Sequence, residues 1–131
     1  MKREARISKT FTFDSAHKLP NYDGKCANIH GHSWKIEVVI AGCVNEKSGM
    51  ILDFVKLKEL VNKHVIEILD HKYLNDIIEN PTAENIIYWI WEQLDKIPYN
   101  IYNIKLWETP ESCVYLNYKQ FYMTDKEYEI N

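Results

Sequence analysis

The sequence predicts an α+β fold: an antiparallel sheet of four strands with two helices packed on one face. Three observations carry this. Apolar and polar residues alternate near both ends of the 131-residue chain, the period-two pattern of half-buried strands. The middle of the chain switches to the spacing of one-sided helices. Strands, then helices, then strands is the order of an α+β layer.

The first strand covers roughly residues 5–17, where Ile7, Phe11 and Phe13 share one parity and His17 continues it. The second runs from about His32 to Cys43, with Trp34, Ile36, Val38 and Ile40 on one side. His30 and His32 extend that parity backward, so both imidazoles fall on one face, with Gly31 between them allowing close approach. After a turn at Asn45-Glu46-Lys47-Ser48-Gly49, Asp53 reads as an N-cap. Leu57, Leu60, Val61, Val65, Ile68 and Leu69 then mark one apolar helical face. Asn80-Pro81-Thr82 breaks and restarts the pattern, with Thr82 as the next cap. That helix carries Ile86, Ile87, Ile90, Trp91, Leu94 and Ile97 and stops before Pro98. Strands at about 101–108 and 112–119 flank Thr109-Pro110-Glu111, which predicts a hairpin. The last dozen residues are polar and acidic and receive no element.

A chain of this length reads as one domain, residues 1–131, able to bury a core without disulfides. The formal net charge is −3 and the basic residues are scattered, so nothing favours a nucleic-acid partner. Three dispersed cysteines, Cys26, Cys43 and Cys113, argue against a disulfide framework and for a reducing compartment. No apolar stretch has signal-peptide length or approaches the ~20 residues of a membrane span. The expectation is a soluble cytoplasmic protein with no membrane partner.

Three of the five histidines fall between His17 and His32. Three neutral imidazoles with one position left open is how a protein builds a catalytic zinc site. A competing pattern, Gly24, His30, His32 and Glu37, resembles the first motif of the cupin barrels. Glu37 has the opposite parity to the histidines, and two helices leave too few residues for that barrel. Cys26 lies in a loop with polar flanks, Lys25 and Asn28, and is a candidate base or nucleophile beside a metal. Asp70-His71 ends the first helix, either as an imidazole favoured by the helix dipole or as a catalytic pair. Glu108 ends the stripe Tyr102, Ile104, Leu106. A carboxylate there either finds a cation or a pair of donors, or marks where the strand leaves the core. Cys43, Cys113 and His64 read as structural.

Taken together, these positions resemble the 6-pyruvoyl-tetrahydropterin synthase superfamily, and in particular its bacterial 6-carboxy-5,6,7,8-tetrahydropterin synthase branch. Phe13-Asp14-Ser15-Ala16-His17 resembles its first-strand motif, and Cys26, three residues, His30-Gly31-His32 its Cys-x3-His-Gly-His motif. Met50-Ile51-Leu52-Asp53-Phe54 resembles the entry to its first helix. Leu69-Asp70-His71-Lys72-Tyr73-Leu74-Asn75 resembles its Asp-His turn. Pro81-Thr82-Ala83-Glu84-Asn85 resembles the start of its second helix, and Trp107-Glu108-Thr109 the strand with its pterin-anchoring glutamate. The pyruvoyl-forming branch usually has five residues between the cysteine and His-Gly-His, and a folate-related branch has glutamate in the cysteine's role.

The resemblance implies the tunnelling fold (T-fold) and a homo-oligomer, a hexamer of two stacked trimers with active sites between subunits. It implies Zn2+ on His17, His30 and His32, with Cys26 as general base. His71 then relays protons with Asp70 orienting it, and Glu108 holds the amino-pyrimidine edge of a pterin. The implied reaction converts 7,8-dihydroneopterin triphosphate to 6-carboxy-5,6,7,8-tetrahydropterin, acetaldehyde and triphosphate, in queuosine biosynthesis. Lys18, Lys25 and Lys35 are candidates for the triphosphate. A pyruvoyl-forming synthase, a non-catalytic pterin-binding module and a structural zinc protein are the alternatives.

Overall fold

The computed structural model describes residues 2–123. Two long strands, β1 (Glu4–His17) and β2 (His30–Cys43), pair antiparallel from end to end. β4 (Asn100–Thr109) pairs with β2, and β5 (Ser112–Asn117) pairs with β4. These are the four expected strands, with β2 starting at His30 rather than His32. A fifth strand, β3 (Lys72–Tyr73), lies parallel to β1 at Ser15 and Ala16, giving the order β3-β1-β2-β4-β5. Two residues are too few to show an alternating pattern, so β3 is invisible in the sequence.

Parity does its work along the whole sheet. Phe11, Phe13, Trp34, Ile36, Val38, Ile40, Ile104, Leu106 and Leu116 are buried on one face, under the helices. Phe13 lies opposite Trp34 in the register and stacks on it, centroids 6.0 Å apart. The far face is mixed rather than apolar: Lys35 and Lys105 hold their ammonium groups 4.9 and 5.0 Å from the Trp107 ring.

Helix α1 (Phe54–Val61) is capped by Asp53, whose carboxylate accepts the Val55 N–H at 2.8 Å. It continues through a wider π-helical turn (Asn62–Ile66) into α2 (Glu67–Leu69). Leu57, Val61, Val65 and Leu69 are all fully buried at a strict spacing of four. An α-helix turns every ~3.6 residues, so such a stripe drifts. The wider turn absorbs the drift, and it leaves Ile68 exposed instead of on the apolar face. Helix α3 (Ala83–Leu94) starts at Thr82, whose hydroxyl accepts the Asn85 N–H at 3.1 Å, and buries Ile86, Ile87, Ile90, Trp91 and Leu94.

β5 ends at Asn117 rather than 119, because Asn117 and Gln120 cap each other's backbone and start a short helix, α4 (Tyr118–Phe121). Phe121 stacks on Trp91 at 5.2 Å. The remainder of the last dozen residues, 124–131, lies outside the described residues. Cys26, Cys43 and Cys113 are free, and the last two are exposed. No helix among the described residues is long and apolar enough to cross a membrane.

Candidate functional site

The β1–β2 register places His17 opposite His30 and Ser15 opposite His32. All three imidazoles therefore emerge on the helix-covered face. Their ring centroids are 4.5, 4.9 and 5.2 Å apart, and a ligand atom from each lies within 4.8 Å of the others. Trp34 stands against His17 and His32, edge to face at 5.1 and 5.4 Å, and forms the apolar side of the cluster.

Two backbone carbonyls fix the tautomers. His17 Nδ1 is 2.8 Å from the Pro81 carbonyl, and His30 Nδ1 is 2.8 Å from the Asn28 carbonyl. A carbonyl only accepts, so each Nδ1 carries its proton, and in the neutral ring it is Nε2 that offers the lone pair. The Nε2 atoms of His17 and His32 are buried without a hydrogen-bond partner, which is costly unless something fills the role. Burial, first, and the neighbouring His17 and His30 hold His32 below the ordinary imidazole pKa, against the opposing pull of Glu108. A neutral imidazole with an uncommitted Nε2 and an anchored Nδ1–H is the state that ligates a metal. The trio fits a metal ion on the chemistry of its donors. Gly31 makes no close approach: a Cβ there would meet nothing nearer than the Ser15 carbonyl at 3.9 Å.

Glu108 stands at a β-bulge. β4 pairs Trp107 with Cys113 and then Thr109 with Ser112, leaving Glu108 as the extra residue. Bulges re-aim side chains, and here Oε1 lies 3.6 Å from His32 Nε2 with the side chain 29% exposed. The carboxylate is thus beside the trio but outside hydrogen-bond range of it. Glu37, by contrast, is paired between Thr10 and Lys105 at a position of opposite parity to the buried residues of β2, which disposes of the cupin-like ligand set.

Cys26 sits in the single 3₁₀ turn Lys25–Ala27 between β1 and β2. Gly24 enters that turn at φ 145°, a backbone that disfavours side chains. The Cys26 carbonyl accepts the Leu19 N–H at 3.0 Å, so the loop folds back to within two residues of His17.

Asp70 and His71 follow α2 at the sheet edge. His71 adopts φ 56°, a left-handed backbone that costs a non-glycine residue about 1–2 kcal/mol. Its Nδ1 is 2.9 Å from Asp70 Oδ2, and the imidazole is 79% exposed. Asp70 Oδ1 accepts the Asp14 N–H at 2.9 Å. That bond, chiefly, and the His71 side chain hold the Asp70 carboxyl below its ordinary pKa despite some desolvation.

The structure thus brings Glu108 to the trio and Asp70 to His71. Among the described residues, no hydrogen bond or ion pair links His71 or Cys26 to the trio. The bonds of Ser15 to the turn, of Asn75 to the Lys18 backbone and of the Pro81 carbonyl to His17 escape sequence reasoning. Their partners are 54 to 64 positions apart along the chain, and no local pattern signals such bonds.

The chain matches the 6-pyruvoyl tetrahydropterin synthase family over residues 6–119. It is 35% identical to 6-carboxy-5,6,7,8-tetrahydropterin synthase of Haemophilus influenzae, over 84% of this chain and 97% of that one. It is 39% identical to dihydroneopterin monophosphate aldolase of Pyrococcus furiosus, over 88% and 99%. Its fold overlays 6-pyruvoyl tetrahydropterin synthase of Caenorhabditis elegans with a TM-score of 0.79 at 27% identity, covering 88% of this chain and 96% of that one. A family match across both strands of the histidine trio and the strand of Glu108, together with that overlay, establishes that the chain belongs to the 6-pyruvoyl tetrahydropterin synthase family and has its T-fold.

Proposed function

We propose that this protein is a zinc-dependent 6-carboxy-5,6,7,8-tetrahydropterin synthase. Its substrates are 7,8-dihydroneopterin triphosphate and water, and its products are 6-carboxy-5,6,7,8-tetrahydropterin, acetaldehyde and triphosphate. The observation that carries the reading is the trio of imidazoles, with the buried Nε2 atoms of His17 and His32 unpartnered, beside the Glu108 carboxylate. The three-residue gap between Cys26 and His30, and relatives bearing that name, favour the carboxy product over the pyruvoyl one.

His17, His30 and His32 hold the zinc ion through Nε2. When bound, zinc supplies Lewis acidity toward the hydroxyls of the substrate side chain. Glu108 accepts two parallel N–H bonds from the amino-pyrimidine edge of the pterin, which orients the side chain toward the trio. Cys26 removes a carbon-bound proton as general base. His71, held in one orientation by Asp70, gives and takes protons. A hexamer of two stacked trimers with sites between subunits accounts for an imidazole so exposed in its own chain. Lys18 and Lys25, next to His17 and Cys26 in sequence, are the better candidates for the triphosphate, since Lys35 lies over Trp107 on the far sheet face. The cytoplasm, and the pathway to queuosine, are the setting this chemistry implies.

Mass spectrometry of the products formed from 7,8-dihydroneopterin triphosphate tests the reading. 6-Carboxytetrahydropterin with acetaldehyde is expected. A 6-pyruvoyl product transfers the protein to the other branch, turnover of the monophosphate alone makes it an aldolase, and binding without turnover makes it a pterin-binding module. Cys26→Ala that retains zinc and near wild-type rate would refute the base assignment.

A further inference from the structure

Ser15 and Asn75 occupy positions that neither the core nor the metal trio explains. Ser15 lies on the buried face of β1, 6% exposed, in line with Phe11, Phe13 and His17. An apolar side chain is the ordinary occupant of such a position. Its hydroxyl instead donates to the Leu69 carbonyl and accepts the Lys72 N–H at 3.3 Å. One oxygen therefore holds the residues on both flanks of Asp70-His71. Its own carbonyl accepts the Trp34 indole N–H at 3.2 Å, and it faces His32 across the register.

Asn75 makes the matching clamp beyond the turn. Its Oδ1 accepts the Lys18 N–H at 2.9 Å and its Nδ2 donates to the Lys18 carbonyl at 2.8 Å. Between the two clamps His71 holds its left-handed backbone and donates its N–H to the Asp14 carbonyl at 2.7 Å. A residue kept in a sparsely populated conformation needs surroundings that over-determine it. With its imidazole outside the core, packing does not supply that here.

We propose that Ser15 and Asn75 are positioning residues for His71, fixing the Asp70-His71 turn to the strand that carries His17. The inference rests on the reading of His71 as the proton-transferring group. A small misplacement of such a group costs up to about a hundredfold in rate, so the clamps act on turnover and not on substrate or metal affinity.

Double-mutant cycles test this. Turnover of 7,8-dihydroneopterin triphosphate and zinc per chain are measured for the wild type, Ser15→Ala, Asn75→Ala, His71→Ala and the two doubles with His71→Ala. Each clamp variant is expected to lower kcat about 10- to 100-fold, with KM and zinc content within about twofold of wild type. In the His71→Ala background each is expected to have no further effect. Ser15→Thr, which keeps the hydroxyl, is expected to recover most of the rate. Should Ser15→Ala not fold, the Asn75 cycle decides alone. Undiminished effects in the His71→Ala background, or zinc lost in step with rate, overturn the proposal in favour of a general structural role. Unimpaired clamp variants beside an impaired His71→Ala overturn it while leaving the functional reading intact. An unimpaired His71→Ala overturns the proposal together with the reading of His71 as the proton-transferring group.

Discussion

The histidine trio and the Asp70-His71 turn are built on opposite terms. The trio is built at the margin of the core, with His17 buried and His30 and His32 half-buried: the register that stacks Phe13 on Trp34 also sets the three around one point. Its imidazoles need no unusual backbone, and burial favours the neutral form a metal requires. The turn stands outside the core, in a backbone that its own residue disfavours, and is held by hydrogen bonds from β1. Groups that must stay neutral and fixed gain from burial. Under the proposed function His71 gains and loses a proton, which needs water or substrate at its ring, so the fold has to restrain it by other means.

Loss of one ligand separates the halves most sharply. His32→Ala is expected to lower bound zinc from one per chain to near zero and turnover about a thousandfold or more, since several kcal/mol of Lewis-acid stabilisation goes with the ion. Elemental analysis beside the rate assay checks this. His71→Gly should do the reverse. Turnover falls about 100-fold or more while zinc stays bound, and stability stays within about 1 kcal/mol of wild type because glycine removes the backbone strain. A large loss in denaturant stability would show that the turn is a structural element after all. Under the proposed function Glu108→Gln weakens the charge-assisted bonding to the pterin edge, worth about 1.5–3 kcal/mol. It should raise KM about 10- to 100-fold with zinc unchanged.

Smaller effects follow from protonation. Burial holds His32 below its ordinary 6.5 in the folded state, so the unfolded chain takes up that proton first. The stability of zinc-free protein should be full above pH 6.5 and decline as the pH falls from there toward the depressed value. Asp70 behaves in the same sense in a lower window: its contribution is present above 3.8 and lost as the pH falls through its depressed folded value. Thermal melts of chelated protein across pH, with an Asp70→Asn control, separate the two windows. If the upper decline is absent, His32 is not desolvated as described.

The trio was the legible half. Strand alternation places His17, His30 and His32 on one face without any knowledge of the fold, and both helix caps, Asp53 and Thr82, act where the sequence put them. Glu108 was legible as an oddity but not as a neighbour of His32, because the bulge that aims it leaves no local mark. The Asp70-His71 pair was legible as two alternatives, an imidazole at a helix end or a catalytic pair, and only the resemblance chose between them. β3, the Ser15 hydroxyl and the Asn75 amide depend on partners more than fifty positions away. The Asn117–Gln120 cap, by contrast, is a local signal that reading 112–119 as continuous strand passed over.

One bond from His17 has a consequence for the helix layer. Its Nδ1 proton rests on the carbonyl of Pro81, the residue just before the Thr82 cap of α3. The entrance to α3 would thereby be outer-sphere to a metal held by the trio under the proposed function. Whatever loosens that helix entrance, even a change as small as Thr82→Ala, worth about 1 kcal/mol in capping, is transmitted to the basicity and aim of one ligand. Under the proposed function, metal affinity would thus serve as a gauge of how well the helices are seated on the sheet.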